Sequence, residues 1–297
     1  MQRRRFVKNT TLCAVAISTT GLIRFDGNKY VGDCETTSDI LGPFYRPDSP
    51  VRKSLVIPGQ PGTPIELSGI IRHKDCVTPF NKAKIELWHC DASGVYDNST
   101  DEYRYRGTGY SDEQGQYSFK TILPVPYDIG DGQFRPAHFH LMITAEGYPP
   151  LVTQLYFSGD ANISKDAYSS SPEAKNRILE IENLNDGSKK VVYNVSLSEI
   201  LAAEGAAIDR LVGIYVDEKD KNKKIEFFKK NNQLWMKNEV FGESYNYVGN
   251  NTFEYPGLPK GFYETLHFEI MPSGKNKVTY NLTENEVKKR TAVAYKQ

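Results

Sequence analysis

Phe134-Arg135-Pro136-Ala137-His138-Phe139-His140-Leu141-Met142-Ile143-Thr144 carries two of the five histidines in a 297-residue chain, at positions i and i+2. The apolar run from Leu141 to Thr144 reads as a strand. On a strand alternate side chains share a face, so His138 and His140 project to the same side. Two imidazoles side by side suit one metal ion, and Arg135 places a fixed positive charge next to them. His-x-His by itself is equally compatible with core packing. The reading therefore turns on whether the chain supplies further ligands.

Working outward, short β-branched or aromatic runs recur. They cover residues 64–72, 83–90, 117–123, 138–144 and 151–157, with turn clusters such as Asp91-Ala92-Ser93-Gly94 and Asp112-Glu113-Gln114-Gly115 between them. Strands at this spacing without long helices predict an all-β fold, an antiparallel β-sandwich spanning 30–200. Residues 30–60, rich in Pro and Gly, read as an irregular arm. Residues 171–184 read as a short helix, 191–197 as a closing strand and 197–211 as a linking helix. Beyond about 200–206 lysines cluster and the runs shorten. Segments such as Ile225-Glu226-Phe227-Phe228, Tyr245-Asn246-Tyr247-Val248 and Lys277-Val278-Thr279-Tyr280 predict a second, small all-β domain over 206–297.

Composition narrows the function classes. The chain is 39% hydrophobic and 25% charged with no net charge, which argues against disorder, a stable membrane span and a basic footprint for nucleic acid. Arg3-Arg4-Arg5-Phe6-Val7-Lys8 followed by an apolar run to Ile23 reads as an export signal over 1–29, similar to a twin-arginine signal. Export would place the protein in the periplasm or outside the cell. Cys34, Cys76 and Cys90 would then meet an oxidising compartment, where Cys76 and Cys90 could staple neighbouring strands or all three stay as buried thiols.

Three metal chemistries compete for His138 and His140. Zinc normally wants a third His, Cys or carboxylate, and no His-x-His-x-Asp-His pattern is present. A cupin-like site has Gly132 six positions ahead of His138, but Glu146 is misplaced and no second-motif histidine follows. The third uses tyrosinate, whose ordinary pKa of about 10 demands a strongly polarising trivalent ion. Tyr127 ends the run Ile122-Leu123-Pro124-Val125-Pro126, and Tyr96 follows the turn after Leu87-Trp88-His89-Cys90. Both strand ends could face the histidine strand.

Leu41-Gly42-Pro43-Phe44-Tyr45, Ile85-Glu86-Leu87-Trp88 with Gly94-Val95-Tyr96, the run from Tyr110 to Phe119, Thr121-Ile122-Leu123-Pro124 with Tyr127, Arg135-Pro136-Ala137-His138-Phe139-His140 and Thr153-Gln154-Leu155-Tyr156-Phe157 stand in one order. Over about 35–185 these blocks resemble the intradiol ring-cleavage dioxygenases, protocatechuate 3,4-dioxygenase among them. The resemblance implies a β-sandwich binding one non-haem Fe(III) through Tyr96, Tyr127, His138 and His140. It implies Arg135 as the charge-stabilising group, Tyr127 as a base for the incoming catechol, and Gln154 as a second active-site polar group. The implied reaction inserts both atoms of O2 into a catechol-type ring to give a muconate-type diacid. Val125, Phe139 and Leu141 depart from the family pattern without touching a ligand position.

Other residues have weaker claims. Tyr45 is a substrate-pocket candidate and Trp88 a weaker one, although aromatics are more often simply buried. His89 shares a face with Ile85 and Leu87 and reads as a core residue, His73 as a surface one. The rival reading is a non-catalytic exported β-sandwich binding module. It sits poorly with an intact set of two tyrosines, two histidines and an arginine.

Overall fold

The computed structural model describes residues 23–25, 30–32, 36–198, 203–259, 261–271, 275–285 and 287–297. Most of the expected export signal, and Cys34, lie outside the described residues. Within them the secondary structure is nearly all strand, with one α-helix, Gly205–Leu211, and one 3-10 segment, Pro172–Arg177.

Among the described residues, one five-stranded sheet runs in the order Ile178–Leu179, Leu151–Phe157, His138–Thr144, Lys84–Trp88, Arg106–Tyr110. A second contains Glu182–Asn183, Lys189–Val192, Pro64–Arg72 and Val195–Ser196, with Gln116–Ile122 also paired to Pro64–Arg72. One hydrophobic cluster joins the two, with Leu67, Tyr117 and Phe119 from one sheet meeting Ile85, Leu87, Phe139, Leu141, Leu155 and Phe157 from the other. His138–Thr144 and Leu151–Phe157 are buried on both faces, which is why neither shows polar alternation in sequence.

Several expectations need correction. The long pairs are antiparallel, but Lys189–Val192 and Val195–Ser196 lie parallel to Pro64–Arg72, and Ile178–Leu179 lies parallel to Leu151–Phe157. The sheets are therefore mixed at their edges. The helix expected over 171–184 is only the Pro172–Arg177 turn; Ile178 and Leu179 then extend and pair as an edge strand. The closing strand is broken at Tyr193-Asn194, where the Asn194 side chain accepts the Ile70 amide instead. A disulfide between Cys76 and Cys90 is excluded. Cys76 is disulfide-bonded, while Cys90 is a buried free thiol. At ~3.3 Å rise per residue the Lys84–Trp88 strand carries Cys90 far from the turn that holds Cys76.

The C-terminal strands close into a barrel. Gly213–Asp217, Lys224–Lys230, Gln233–Met236, Glu243–Gly249, Thr252–Glu254, Phe262–Glu269, Lys277–Glu284 and Val287–Lys296 pair in chain order, and the last returns to the first. Its interior packs Tyr215, Phe227, Leu234, Phe253, Leu266 and Phe268, with Ile208 and Leu211 of the helix closing one end. The barrel's outer wall lies against the sheet that carries His138 and His140. Trp235 joins a cluster with Leu41, Tyr45, Trp88, Met142 and Val152.

Candidate metal centre

Register assembles the site. Trp88 and Gln154 stand directly across from His140 on the two flanking strands, and Tyr156 stands across from His138. These side chains therefore share the face turned away from the hydrophobic cluster between the two sheets. The short hairpin of Tyr127–Asp128 with Phe134–Arg135 pairs Tyr127 directly with Arg135. Tyr96 arrives from the turn after Cys90. There Gly94, at φ +82°, comes so close that a Cβ would lie 2.9 Å from Tyr127 Cβ. A side chain would both strain that turn and displace Tyr127.

The donor atoms converge. His138 Nε2 and His140 Nε2 are 3.1 Å apart, and the Tyr96 hydroxyl lies 3.1 Å from His140 Nε2 and 3.4 Å from His138 Nε2. The Tyr96 and Tyr127 rings meet edge to face, centroids 5.6 Å apart. His138 Nδ1 donates to the Pro136 carbonyl at 2.6 Å, which leaves Nε2 as the bare, metal-binding nitrogen. Burial, reinforced by the Arg135 charge, pushes His138 down to about 3, and burial with the close neighbours His138 and Arg135 holds His140 well below the usual range. Both rings are neutral, and their lone pairs face one another.

His140 is held differently. Its Nδ1 is buried without a hydrogen-bond partner. Its ring lies flat against Trp88, centroids 4.9 Å apart and planes 8° from parallel. On another side is Gly42, at φ +74°, where a Cβ would sit 3.2 Å from His140 Cε1. Trp88 is backed by Tyr45 at 5.2 Å, and Tyr45 by the barrel's Trp235 at 5.7 Å and Phe241 at 5.7 Å. Ile40, two residues before Gly42, packs into the barrel's hydrophobic cluster with Tyr255. Packing, not a hydrogen bond, sets this ring, and part of that packing comes from the barrel.

Arg135 is buried and anchored. Its Nε stands 2.6 Å from Asp166 Oδ2, and its terminal nitrogen donates to Gln154 Oε1 at 2.7 Å and to the Tyr156 hydroxyl at 3.3 Å. Gln154 in turn donates to the Ile40 carbonyl at 2.7 Å, and Tyr156 to Asp39 Oδ2 at 2.8 Å. Asp39 pairs with Arg177, both fully enclosed. The Arg135 charge is fixed in place, and its anionic partners hold it protonated.

The structure thus brings together Tyr96, Tyr127, His138, His140, Arg135 and Gln154. Tyr45 is one ring removed, enclosed behind Trp88 with its hydroxyl donating to Glu86 at 3.3 Å. His89 is a core residue bonded to Thr121 Oγ1 and the Cys90 carbonyl, each at 2.7 Å. His73, expected at the surface, is half-buried and bonded to the Tyr148 hydroxyl at 2.9 Å. Sequence reasoning missed Asp39, Tyr156, Asp166 and Arg177. Only Tyr156 had a signal, standing two residues beyond Gln154 on one strand face. Arg106–Tyr110, which is not among the runs read as strands, is a strand. Arg106 is buried there, donating to the Phe44 and Asp97 carbonyls at 2.7 Å each.

A model of the family described as "Dioxygenase" matches residues 40–199, more than half of the chain. The chain belongs to the intradiol ring-cleavage dioxygenase family. It is 36% identical over 157 residues to a chlorocatechol 1,2-dioxygenase of Rhodococcus opacus, covering 45% of this chain and 61% of that one. It is 31% identical over 195 residues to a catechol 1,2-dioxygenase of Candida albicans, covering 58% and 64%. The chain thus spans a little over three fifths of these relatives. The solved catechol 1,2-dioxygenase of Pseudomonas arvilla C-1 aligns with TM-score 0.50 at 23% identity, covering 56% of this chain and 63% of that one, a likeness of fold.

The donor set fits a ferric ion. Three N and O atoms within 3.4 Å of one another, two of them imidazole nitrogens with opposed lone pairs, are better satisfied by a cation than by one shared hydrogen. Among the described residues no group of three His, Cys, Asp or Glu side chains is placed to hold a metal, so a zinc-type set is not offered. Burial raises both phenols, Tyr96 well above its ordinary value, so only a strongly polarising ion would ionise them.

Proposed function

We propose that this chain is an exported, non-haem Fe(III) intradiol dioxygenase that opens a catechol-type ring with O2 to give a muconate-type diacid. The convergence of Tyr96, Tyr127, His138 and His140 beside the anchored Arg135 carries this reading. Those four residues would hold the iron. Relatives named for catechol, chlorocatechol and hydroxyquinol support the substrate class. The same reading treats the two sheets as the catalytic β-sandwich and the barrel as an appended domain.

When bound, Fe(III) supplies the Lewis acidity that draws electron density from a catechol ring and readies it for O2. The residues do the rest. Tyr127, half-buried where Tyr96 is buried, is the side chain open to an incoming substrate; as the phenolate it would be when holding the iron, it could take up a catechol hydroxyl proton on its oxygen and leave as the neutral phenol. The Arg135 guanidinium, aligned by Gln154, Tyr156 and Asp166, stabilises negative charge developing on the substrate and needs no reorientation to do so. Trp88, backed by Tyr45, walls the site behind His140, which gives Tyr45 its part in shaping the pocket.

Expression in iron-replete cells tests this. A burgundy protein whose absorption band is lost in Tyr127→Phe and His138→Ala, together with O2 uptake on a catechol panel, is the expected result. A colourless, iron-free preparation would refute the reading.

A further inference from the structure

Within the barrel, one layer of inward-facing side chains is filled and the layer beside it is not. The filled layer includes Tyr215, Phe227, Leu234, Tyr245, Leu266, Val278 and Ala294, all buried. A step of two residues along each of these strands, alternately forward and backward as antiparallel pairing requires, reaches Asp217, Ile225, Met236, Glu243, Glu264, Tyr280 and Ala292. Since alternate residues share a face, these seven also point into the lumen. All seven line one cavity of about 620 Å³. The cavity is therefore the barrel's own second layer, left open. Drug-sized ligands occupy sites of ~300–1,000 Å³, and eight-stranded barrels are just wide enough to hold one small molecule.

We propose that the barrel lumen is a second binding site, for a neutral hydroxylated aromatic molecule. Ile225, Met236 and Ala292 provide apolar walls, and the Tyr280 ring a flat one. Glu243 and Glu264 present carboxylate acceptors; Glu264 already takes the Tyr245 hydroxyl at 2.5 Å. Three acidic side chains in the wall repel an anionic ligand. Lys223, Lys224 and Arg290 stand at the same cavity and repel a cationic one, with the Arg290 guanidinium 5.7 Å from the Tyr280 ring centre. A flat apolar body with uncharged O–H donors is the chemistry that remains. The choice of a phenol over another neutral hydroxylated ring rests on the proposed catechol chemistry of the sandwich. The barrel would then hold phenolic material close to the centre that cleaves it.

Anaerobic calorimetry on the full-length, iron-loaded protein tests this, with 4-methylcatechol, its carboxylated analogue 3,4-dihydroxybenzoate and a disaccharide as probes. Two equivalents of 4-methylcatechol should bind. Ala292→Trp, which fills the lumen opposite Tyr280, should abolish one equivalent while colour and turnover stay unchanged. Should that variant fail to fold, the isosteric Glu243→Gln should weaken the same equivalent at least tenfold. The carboxylated analogue should occupy only the sandwich site. One equivalent in the wild type, or two in both variants with unchanged affinity, would overturn the proposal, as would a second site filled by the disaccharide and not by the phenol. Loss of colour and turnover in the wild type would instead count against the catalytic reading alone.

Discussion

Trp235→Ala tests whether the barrel supports the metal centre. Trp235 is completely buried; it stacks on Tyr45 at 5.7 Å, meets Phe241 at 5.4 Å, and donates from Nε1 to the Lys230 carbonyl at 3.2 Å. Truncating such a tryptophan costs ~3–5 kcal/mol in transfer and cavity terms. Each lost aromatic pair adds about 0.5–1.5 kcal/mol. These terms overlap, since the same contacts enter both, so the expected loss is about 4–5 kcal/mol. The effect then travels inward: Tyr45 loses its backing, Trp88 loses Tyr45, and His140 loses the flat surface that substitutes for a hydrogen bond at Nδ1. Removing an outer partner of a metal ligand costs ~10–100-fold in metal affinity. Urea titration gives the stability loss, and chelator competition with the visible absorption band gives the iron affinity. Trp235→Phe should recover most of both. A folded Trp235→Ala with unchanged iron affinity and an unshifted band would refute the idea that packing from the barrel sets His140.

Arg177→Met strands the buried Asp39 carboxylate beneath Tyr156 and Gln154, and should cost ~3–5 kcal/mol by urea denaturation, much of it recovered on adding Asp39→Leu. His89 supplies an acid-stability test. Burial lowers it from 6.5 to about 4, so folded His89 stays neutral while the unfolded chain takes up a proton. Its contribution is complete above about 6.5 and is lost as the pH falls towards about 4, a loss of ~3 kcal/mol. His89→Gln should flatten stability across that window in thermal melts at stepped pH; an unchanged slope would refute the assignment.

The sequence exposed the parts of the fold that obey local rules. His138–Thr144 and Leu151–Phe157 begin and end where the apolar runs do, and the alternation of His138 with His140 put both rings on one face. It hid what depends on contacts distant in the chain. Ile178-Leu179 carries no strand signal until Leu151–Phe157 offers an open edge, and Asp166 and Arg177 sit in unpatterned segments whose charges gain meaning only from Arg135 and Asp39. Arg106–Tyr110 was obscured by two glycines and an arginine. Barrel closure was equally invisible, because no short-range feature of Gly213–Asp217 states that Val287–Lys296 will pair with it. The donor residues were legible as motif positions, whereas the stacking of Trp88 on His140 required the register.

Barrel closure has a kinetic consequence. Tyr215 pairs with Lys296, so the ring cannot shut until the segments at its two ends find each other, and non-local closures of this kind are slow relative to hairpin formation. The sheet that carries His138 and His140 needs shorter closures, such as Trp88 with His140, and can form first. Until the ring shuts and presents Trp235 and Tyr255, the outer face of the sheet, with both imidazoles on it, remains open to solvent. The interval between these two events is a window in which a metal ion can reach the histidines, and the last folding step then seals the wall behind them.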